Sequence, residues 1–247
     1  MKISVTTYPW GKLQTSRELG KVLREIEKMG FEGVGLEFDL LPPVLKKNPD
    51  QVPALVKGTH LENGGTYSPG TLSRIKWAKA SETPLIWFSL KAPDRKTALE
   101  KVRRFAKTAS ENGVTASLHN ELYSSFQTSS ELKQAMSQIK ELTMCLDTAH
   151  GTAAGVDIEK TIDEYRDRIT LVHLKDLRAK IPMNKVVFER DFVNVGRGII
   201  DLQSVVNKLK DVGYSRELML EIEALQGEDP GPVVLEGYNY VRKLLGS

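Results

Sequence analysis

Short apolar runs alternate with longer amphipathic stretches along most of this chain. Ile3–Thr7 reads as a strand, broken by Pro9 and Gly11. Arg17–Met29 then carries Leu19, Val22, Leu23 and Ile26 at helical spacing, with Gly30 placed to end the helix. Phe31–Phe38 is a second strand-like run, with Glu37 and Asp39 near its end. Residues 40–70 are the least periodic part. Val52–His60 offers the best third strand there, and Glu62-Asn63-Gly64-Gly65 carries a turn signal. From Leu72 the rhythm returns: helices over 72–80, 94–112, 131–139, 158–168, 202–212 and 233–245, and strands over 84–90, 114–118, 142–146, 169–174 and 218–222. Eight strand-like runs between helices, with no domain-scale linker, predict one α/β domain over residues 1–247, a (β/α)8 TIM barrel. A doubly wound open sheet would use the same alternation; length and strand count favour closure.

Composition narrows the class. The chain has 247 residues and a formal net charge of +3, which gives no support for a nucleic-acid footprint. Its single cysteine, Cys145, precludes an internal disulfide and sits in an apolar run, where a thiol is expected to be inert. Met1-Lys2-Ile3-Ser4-Val5 lacks a signal-peptide pattern, and no apolar run is long enough to cross a membrane, so a cytoplasmic location is expected.

The centre of interest is Met144-Cys145-Leu146-Asp147-Thr148-Ala149-His150-Gly151, an apolar run that stops at a carboxylate and an imidazole. In a parallel barrel, chemistry sits at the C-terminal ends of the strands. Those ends read His119-Asn120-Glu121, then Asp147 with His150, then His173 with Lys175 and Asp176, then Glu221 with Glu223. The fourth histidine, His60, closes the expected third strand. Convergent His, Asp and Glu suit a divalent transition metal such as Mn²⁺, Co²⁺ or Zn²⁺, and imidazole argues against Mg²⁺ or Ca²⁺. The plainer alternative is that these residues cap loops and pair with nearby lysines. Gly196-Arg197-Gly198 is a weak candidate for cradling a phosphate or hydroxyls. Trp10, Trp87, Phe88 and Phe192 are candidate walls for a sugar ring, Lys91 and Lys175 candidate carbonyl polarisers, and the 101–107 basic cluster a solvated helix face.

Strand ends reading Leu-Asp-Thr-Ala-His, Val-His-Leu-Lys-Asp and Leu-Glu-Ile-Glu, in that order, resemble the xylose-isomerase-like TIM-barrel superfamily of sugar isomerases, epimerases, inosose dehydratases and apurinic endonucleases. The resemblance covers the chain from about Val114 onward. It implies a divalent metal held by Asp147, His173 and Glu221, with His150 contacting substrate oxygen. Related epimerases carry a glutamate at the strand-five position, where this chain has His119, so His119 is the implied fourth ligand and Glu121 its substitute. That departure weakens a symmetric two-carboxylate proton swap. The trinuclear cluster of the apurinic endonucleases cannot be assembled from the residues present.

The expected function is a metal-dependent isomerase or epimerase of a small sugar, keto-sugar or polyol, acting through a metal-stabilised enediolate. Glu221 is the expected acid/base on one face, His150 or Glu121 on the other, and Lys175 neutralises the developing oxyanion. Alternatives are a dehydratase of the inosose type on the same site, an apurinic-endonuclease-like metal phosphodiesterase, and an inactive binding barrel. A homodimer is the assembly the class suggests.

Overall fold

The computed structural model describes residues 1–246. Strands β1 (Lys2–Thr6), β2 (Gly33–Leu36), β3 (Glu62–Ser68), β4 (Leu85–Phe88), β5 (Thr115–His119), β6 (Thr143–Asp147) and β7 (Ile169–Leu174) are followed by a two-stranded antiparallel ribbon, β8 (Asp176–Leu177) with β9 (Phe192–Val193), and by β10 (Glu217–Leu220). The ribbon lies outside the barrel. The other eight strands are parallel and close in the order β1-β10-β7-β6-β5-β4-β3-β2, which is the expected (β/α)8 barrel.

Strand alternation divides the side chains between two cores. Met144, Leu146, Val172, Leu174, Leu218 and Leu220 pack with the surrounding helices in the main apolar cluster. Leu85, Trp87, Cys145, Leu171 and Met219 form a separate layer with one another. The next inward positions along the chain, one residue pair further toward the strand ends, are His119, Asp147, His173 and Glu221, which are at most 7 % exposed. The apolar layer is thus the floor on which the polar ends stand.

Helix boundaries agree with the periodicity to within a few residues. Thr15 accepts a hydrogen bond from the Glu18 backbone and Asp94 one from that of Thr97, each capping the helix that follows. Gly30 ends the first helix at φ +98°, a conformation that favours glycine.

The third strand is a correction. Val52–Lys57 is a short helix, and the strand is Glu62–Ser68, on the stretch that reads as a turn. A register shift between Val34 and Gly35 on β2 sits opposite Asn63 and Gly65, so the glycine pair marks a bulge within the sheet. Gly64 lies against the Glu217 carboxylate, which a Cβ there would displace, standing 2.3 Å from Oε2. His60 therefore precedes β3, at the end of the barrel opposite the candidate site. It is exposed, and its backbone N–H bonds Glu27.

Candidate metal centre at the barrel mouth

Three short devices aim the site residues. Asn120 ties the end of β5 to β6 through both backbone groups of Asp147, donating to its carbonyl (3.0 Å) and accepting from its N–H (2.7 Å). Asp147 caps the helix Thr148–Ala153, its Oδ1 accepting from the His150 N–H at 2.7 Å, which turns Oδ2 toward the barrel axis. Thr148 Oγ1 donates to the Lys175 carbonyl (2.6 Å) and accepts from its N–H (3.0 Å), locking β6 to the segment after β7. The Asp-Thr-Ala-His stretch is therefore a positioning device as well as a donor set.

The expected ligands meet in two overlapping groups. One atom each of His119, Asp147, His150 and Glu221 lies within 4.8 Å of the others, and so do single atoms of His119, Cys145 and His173. His119 Nε2 is 3.6 Å from Asp147 Oδ2, and His173 Nδ1 is 3.3 Å from Glu221 Oε2. Both ring nitrogens of His119 and of His173, with Asp147 Oδ2, are buried and make no hydrogen bond among the described residues, while Glu221 Oε2 faces the Lys175 ammonium at 2.6 Å. Buried polar atoms are ordinarily paired. A neutral imidazole offers one nitrogen lone pair, so His119, Asp147, His173 and Glu221 offer one donor atom each, a mixed N/O set of the kind a divalent cation takes, with His119 the member common to both groups. Burial alone would lower the His119 pKa, but Asp147 and Glu121 on its two sides raise it to about 10. The ring is thus a group that its neighbours hold with a cation or a proton.

His150 belongs to this volume in a different role. Its Nδ1 accepts the Leu122 backbone N–H at 3.0 Å, so a neutral ring carries its proton on Nε2. Burial, with Lys175 nearby, pushes its pKa down to about 3 and keeps the ring neutral. Its Nε2 stands 3.3 Å from the Lys175 ammonium, so both ring nitrogens already have a neighbour. Phe188 and Phe192 pack edge-on against it, at 4.9 and 4.6 Å between ring centres.

Lys175 is the internal counter-cation. Its ammonium, 1 % exposed, lies 2.6 Å from Glu221 Oε2, 3.0 Å from Glu223 Oε2 and 3.6 Å from Asp147 Oδ2. The two glutamates diverge electrostatically. Burial opposes ionisation of both, yet Lys175 and His173 hold Glu221 well below the ordinary range. Burial, with Glu221 alongside, pushes Glu223 up to about 7 in spite of Lys175. Glu121 is held down to about 2 against its own burial by His119, whose Nδ1 is 3.7 Å away.

Above these groups is a cavity of about 290 Å³ whose lining includes Tyr8, Glu37, Tyr67, Trp87, Glu121 and Phe188. Trp87 is a wall as expected, edge-on to His173 at 5.2 Å. Phe192 backs the site through His150 and Phe188. Trp10 and Phe88 are not walls: Trp10 bonds Glu25 on the first helix, and Phe88 faces outward against Phe105. Lys91 is exposed, as are the basic residues of the 101–107 cluster. The Gly196-Arg197-Gly198 loop already holds an anion of its own. The backbone N–H groups of Gly196, Gly198 and Ile200 donate to the buried Asp176 carboxylate at 3.1, 2.9 and 3.0 Å, and Arg197 pairs with Glu228 and Glu236. Sequence reasoning did not find Tyr8 or Phe188, which come from loops without a motif. Glu37 and Glu223 were visible at strand ends but without a role.

A family profile described as xylose isomerase-like TIM barrel matches residues 89–244. The chain belongs to that family. Among curated relatives, an inosose dehydratase of Geobacillus thermodenitrificans is 27% identical over 161 residues, covering 60% of this chain and 54% of the relative. One of Klebsiella pneumoniae is 28% identical over 165 residues with the same shares. The chain spans about half the length of the curated relatives it matches. Among solved structures, the IolI protein with a binding zinc atom superposes with a TM-score of 0.78 at 15% identity, covering 99% of this chain and 98% of that one. The 3-keto-D-glucoside 4-epimerase YcjR of E. coli superposes at 0.77 with 16% identity, covering 98% and 99%. These likenesses show the fold. The structure of that first neighbour holds a zinc atom. No helix among the described residues is long and apolar enough to cross a membrane.

Proposed function

We propose that this family member is a divalent-metal-dependent lyase that removes water from a small keto-sugar or cyclic keto-polyol after abstracting a proton next to the carbonyl. The observation that carries the reading is geometric. The Glu221 and Glu223 carboxyls share one ammonium, at 2.6 and 3.0 Å, and both border the cavity. A base and an acid standing side by side suit a syn elimination, whereas inverting a carbon needs groups on opposite faces.

A bound divalent cation supplies Lewis-acid polarisation of the substrate carbonyl. His119, Asp147, His173 and Glu221 would hold it. The free oxygen of Glu221, kept ionised by Lys175, takes the carbon-bound proton. Glu223, whose carboxyl burial and the neighbouring Glu221 push upward, would in its protonated form give that proton to the departing hydroxyl so that water leaves. His150 Nε2–H fixes a substrate oxygen, and Lys175 holds the two carboxylates in register. The inosose dehydratase names of the curated relatives agree with this outcome.

A second reading, the isomerase or epimerase expected from the strand-end motifs, is favoured by one feature, Glu121 facing the same cavity. NMR in D₂O with Mn²⁺-loaded protein and an inosose or ketohexose separates the two. Loss of water with a new olefinic or enol signal supports the lyase, and deuterium incorporation without elimination supports the epimerase. Glu221→Gln should abolish both while leaving circular dichroism unchanged; full turnover in that variant refutes both.

A further inference from the structure

The lone thiol of the chain faces the metal centre from beneath. Cys145 and Asp147 are alternate residues of β6, so both point into the barrel, Cys145 in the apolar floor and Asp147 one level above it. His119 is the register partner of Cys145 on β5, and His173 that of Asp147 on β7. The Cys145 Sγ and one ring nitrogen each of His119 and His173 lie within 4.8 Å of one another, and this group contains no carboxylate. All three residues are at most 3 % exposed, and neither imidazole makes a hydrogen bond among the described residues. Carboxylates nonetheless flank the rings: Glu121 is 3.7 Å from His119 Nδ1, and Glu221 is 3.3 Å from His173 Nδ1. A carboxylate beside one ring nitrogen is the arrangement that orients histidine ligands of zinc through the other. Met219, the other sulfur of the floor, is turned toward β2, where its Sδ would stand 2.6 Å from a Cβ on Gly35.

We propose that His119, Cys145 and His173 form a second, deeper ion position that takes a thiophilic divalent cation such as Zn²⁺ or Cd²⁺. The inference rests on the reading of the barrel mouth as a metal centre. Harder Mn²⁺ prefers the oxygens of Asp147 and Glu221, whereas a thiolate with two imidazoles is a donor set for softer ions. Zinc bonds of about 2.0–2.1 Å to imidazole and 2.3 Å to sulfur set the donors about 3.5–4 Å apart, so the three must close by little more than about 1 Å. Imidazole rings without hydrogen bonds are free to supply that movement. Coordination replaces the thiol proton, which passes to the buffer. The thiolate then offsets one charge of the ion, with Asp147 and Glu221 on the level above to offset the other. Because His119 belongs to both positions, an ion in one excludes an ion in the other.

The test is X-ray absorption of the full chain, free of any tag and loaded with sub-equivalent Zn²⁺, which needs no turnover. One sulfur neighbour of zinc at about 2.3 Å should appear in the wild type and vanish in Cys145→Ala. Cys145 is the only cysteine, so a thiolate neighbour has a single source. The Mn²⁺-loaded wild type should show no sulfur neighbour. Competition, read from the electron spin resonance of released Mn²⁺, should show Zn²⁺ displacing Mn²⁺ at least about tenfold less effectively from Cys145→Ala than from the wild type. A sulfur neighbour that survives in Cys145→Ala, or equal displacement from both proteins, overturns the proposal. A Zn²⁺ shell of nitrogen and oxygen alone in the wild type does so without any variant, and with Mn²⁺ still bound it sinks this inference alone. Binding of neither ion sinks the metal-centre reading together with it.

Discussion

Lys175→Met is the most informative single change. The methionine keeps the length and apolar stem but leaves Asp147, Glu221 and Glu223 without the ammonium that stands 3.6, 2.6 and 3.0 Å from them. At an effective dielectric of about 20, each contact contributes roughly 5–6 kcal/mol of gross attraction. Desolvation of the four groups cancels most of that sum. The measured cost of removing one partner from a buried ion pair is about 3–5 kcal/mol, because the charges left behind have no compensation. For a domain of this size the loss corresponds to a melting temperature lower by roughly 10 °C. Divalent cation should then stabilise the variant more than the wild type, since the carboxylates no longer have an internal competitor. Thermal and urea denaturation of both proteins, with EDTA and with added Mn²⁺, reads both effects. If Lys175→Met unfolds within about 1 kcal/mol of the wild type in EDTA, the ammonium is not the counter-cation of this cluster and the argument fails.

Two other perturbations probe the frame around the site. Burial raises the Glu217 pKa to about 7 at the far end of the barrel, so the folded state keeps a proton that the unfolded chain releases above its ordinary 4.5. This residue's contribution is therefore fully present below about pH 4.5, falls by about 3 kcal/mol on going to pH 7, and is level above it. Urea midpoints at pH 5 and pH 8 should show Glu217→Gln gaining on the wild type at the higher pH, and a gap that stays constant with pH would contradict the assignment. Asp176→Ala strips the acceptor from the N–H groups of Gly196, Gly198 and Ile200, which should cost about 3–5 kcal/mol and speed proteolytic nicking between residues 178 and 200. Unchanged protease sensitivity would show that the loop is held by other contacts.

The barrel was legible because a parallel strand covered by helices is apolar on its outer face and ends abruptly at polar residues. Ile169–Leu174 is apolar but for Thr170 and His173, and its bounds could be read directly. Glu62–Ser68 could not, because Gly64 and Gly65 interrupt its apolar run, yielding space to Glu217, Met219 and Trp87 from other strands. That information lies across the barrel, far away in sequence. His60 was misplaced as a consequence. The strand-end positions of His119, Asp147, His173 and Glu221 were readable, since each lies at or just past the end of an apolar run. The occupation of His150 Nδ1 was not readable, because it depends on a backbone N–H from Leu122. The part played by Glu223 was hidden for a related reason: only the folded chain shows it sharing an ammonium with Glu221.

The glycines of β2 and β3 also constrain how this wall can vary. A Cβ on Gly35 would stand 2.6 Å from Met219 Sδ and 2.9 Å from Trp87 Cη2, and one on Gly65 2.8 Å from the Leu85 carbonyl. Bulk is therefore shared between opposite staves of the barrel, and one stave can thicken only if another thins. A side chain at 35 would need room made at both Met219 and Trp87, so enlargement of one stave calls for change on two others.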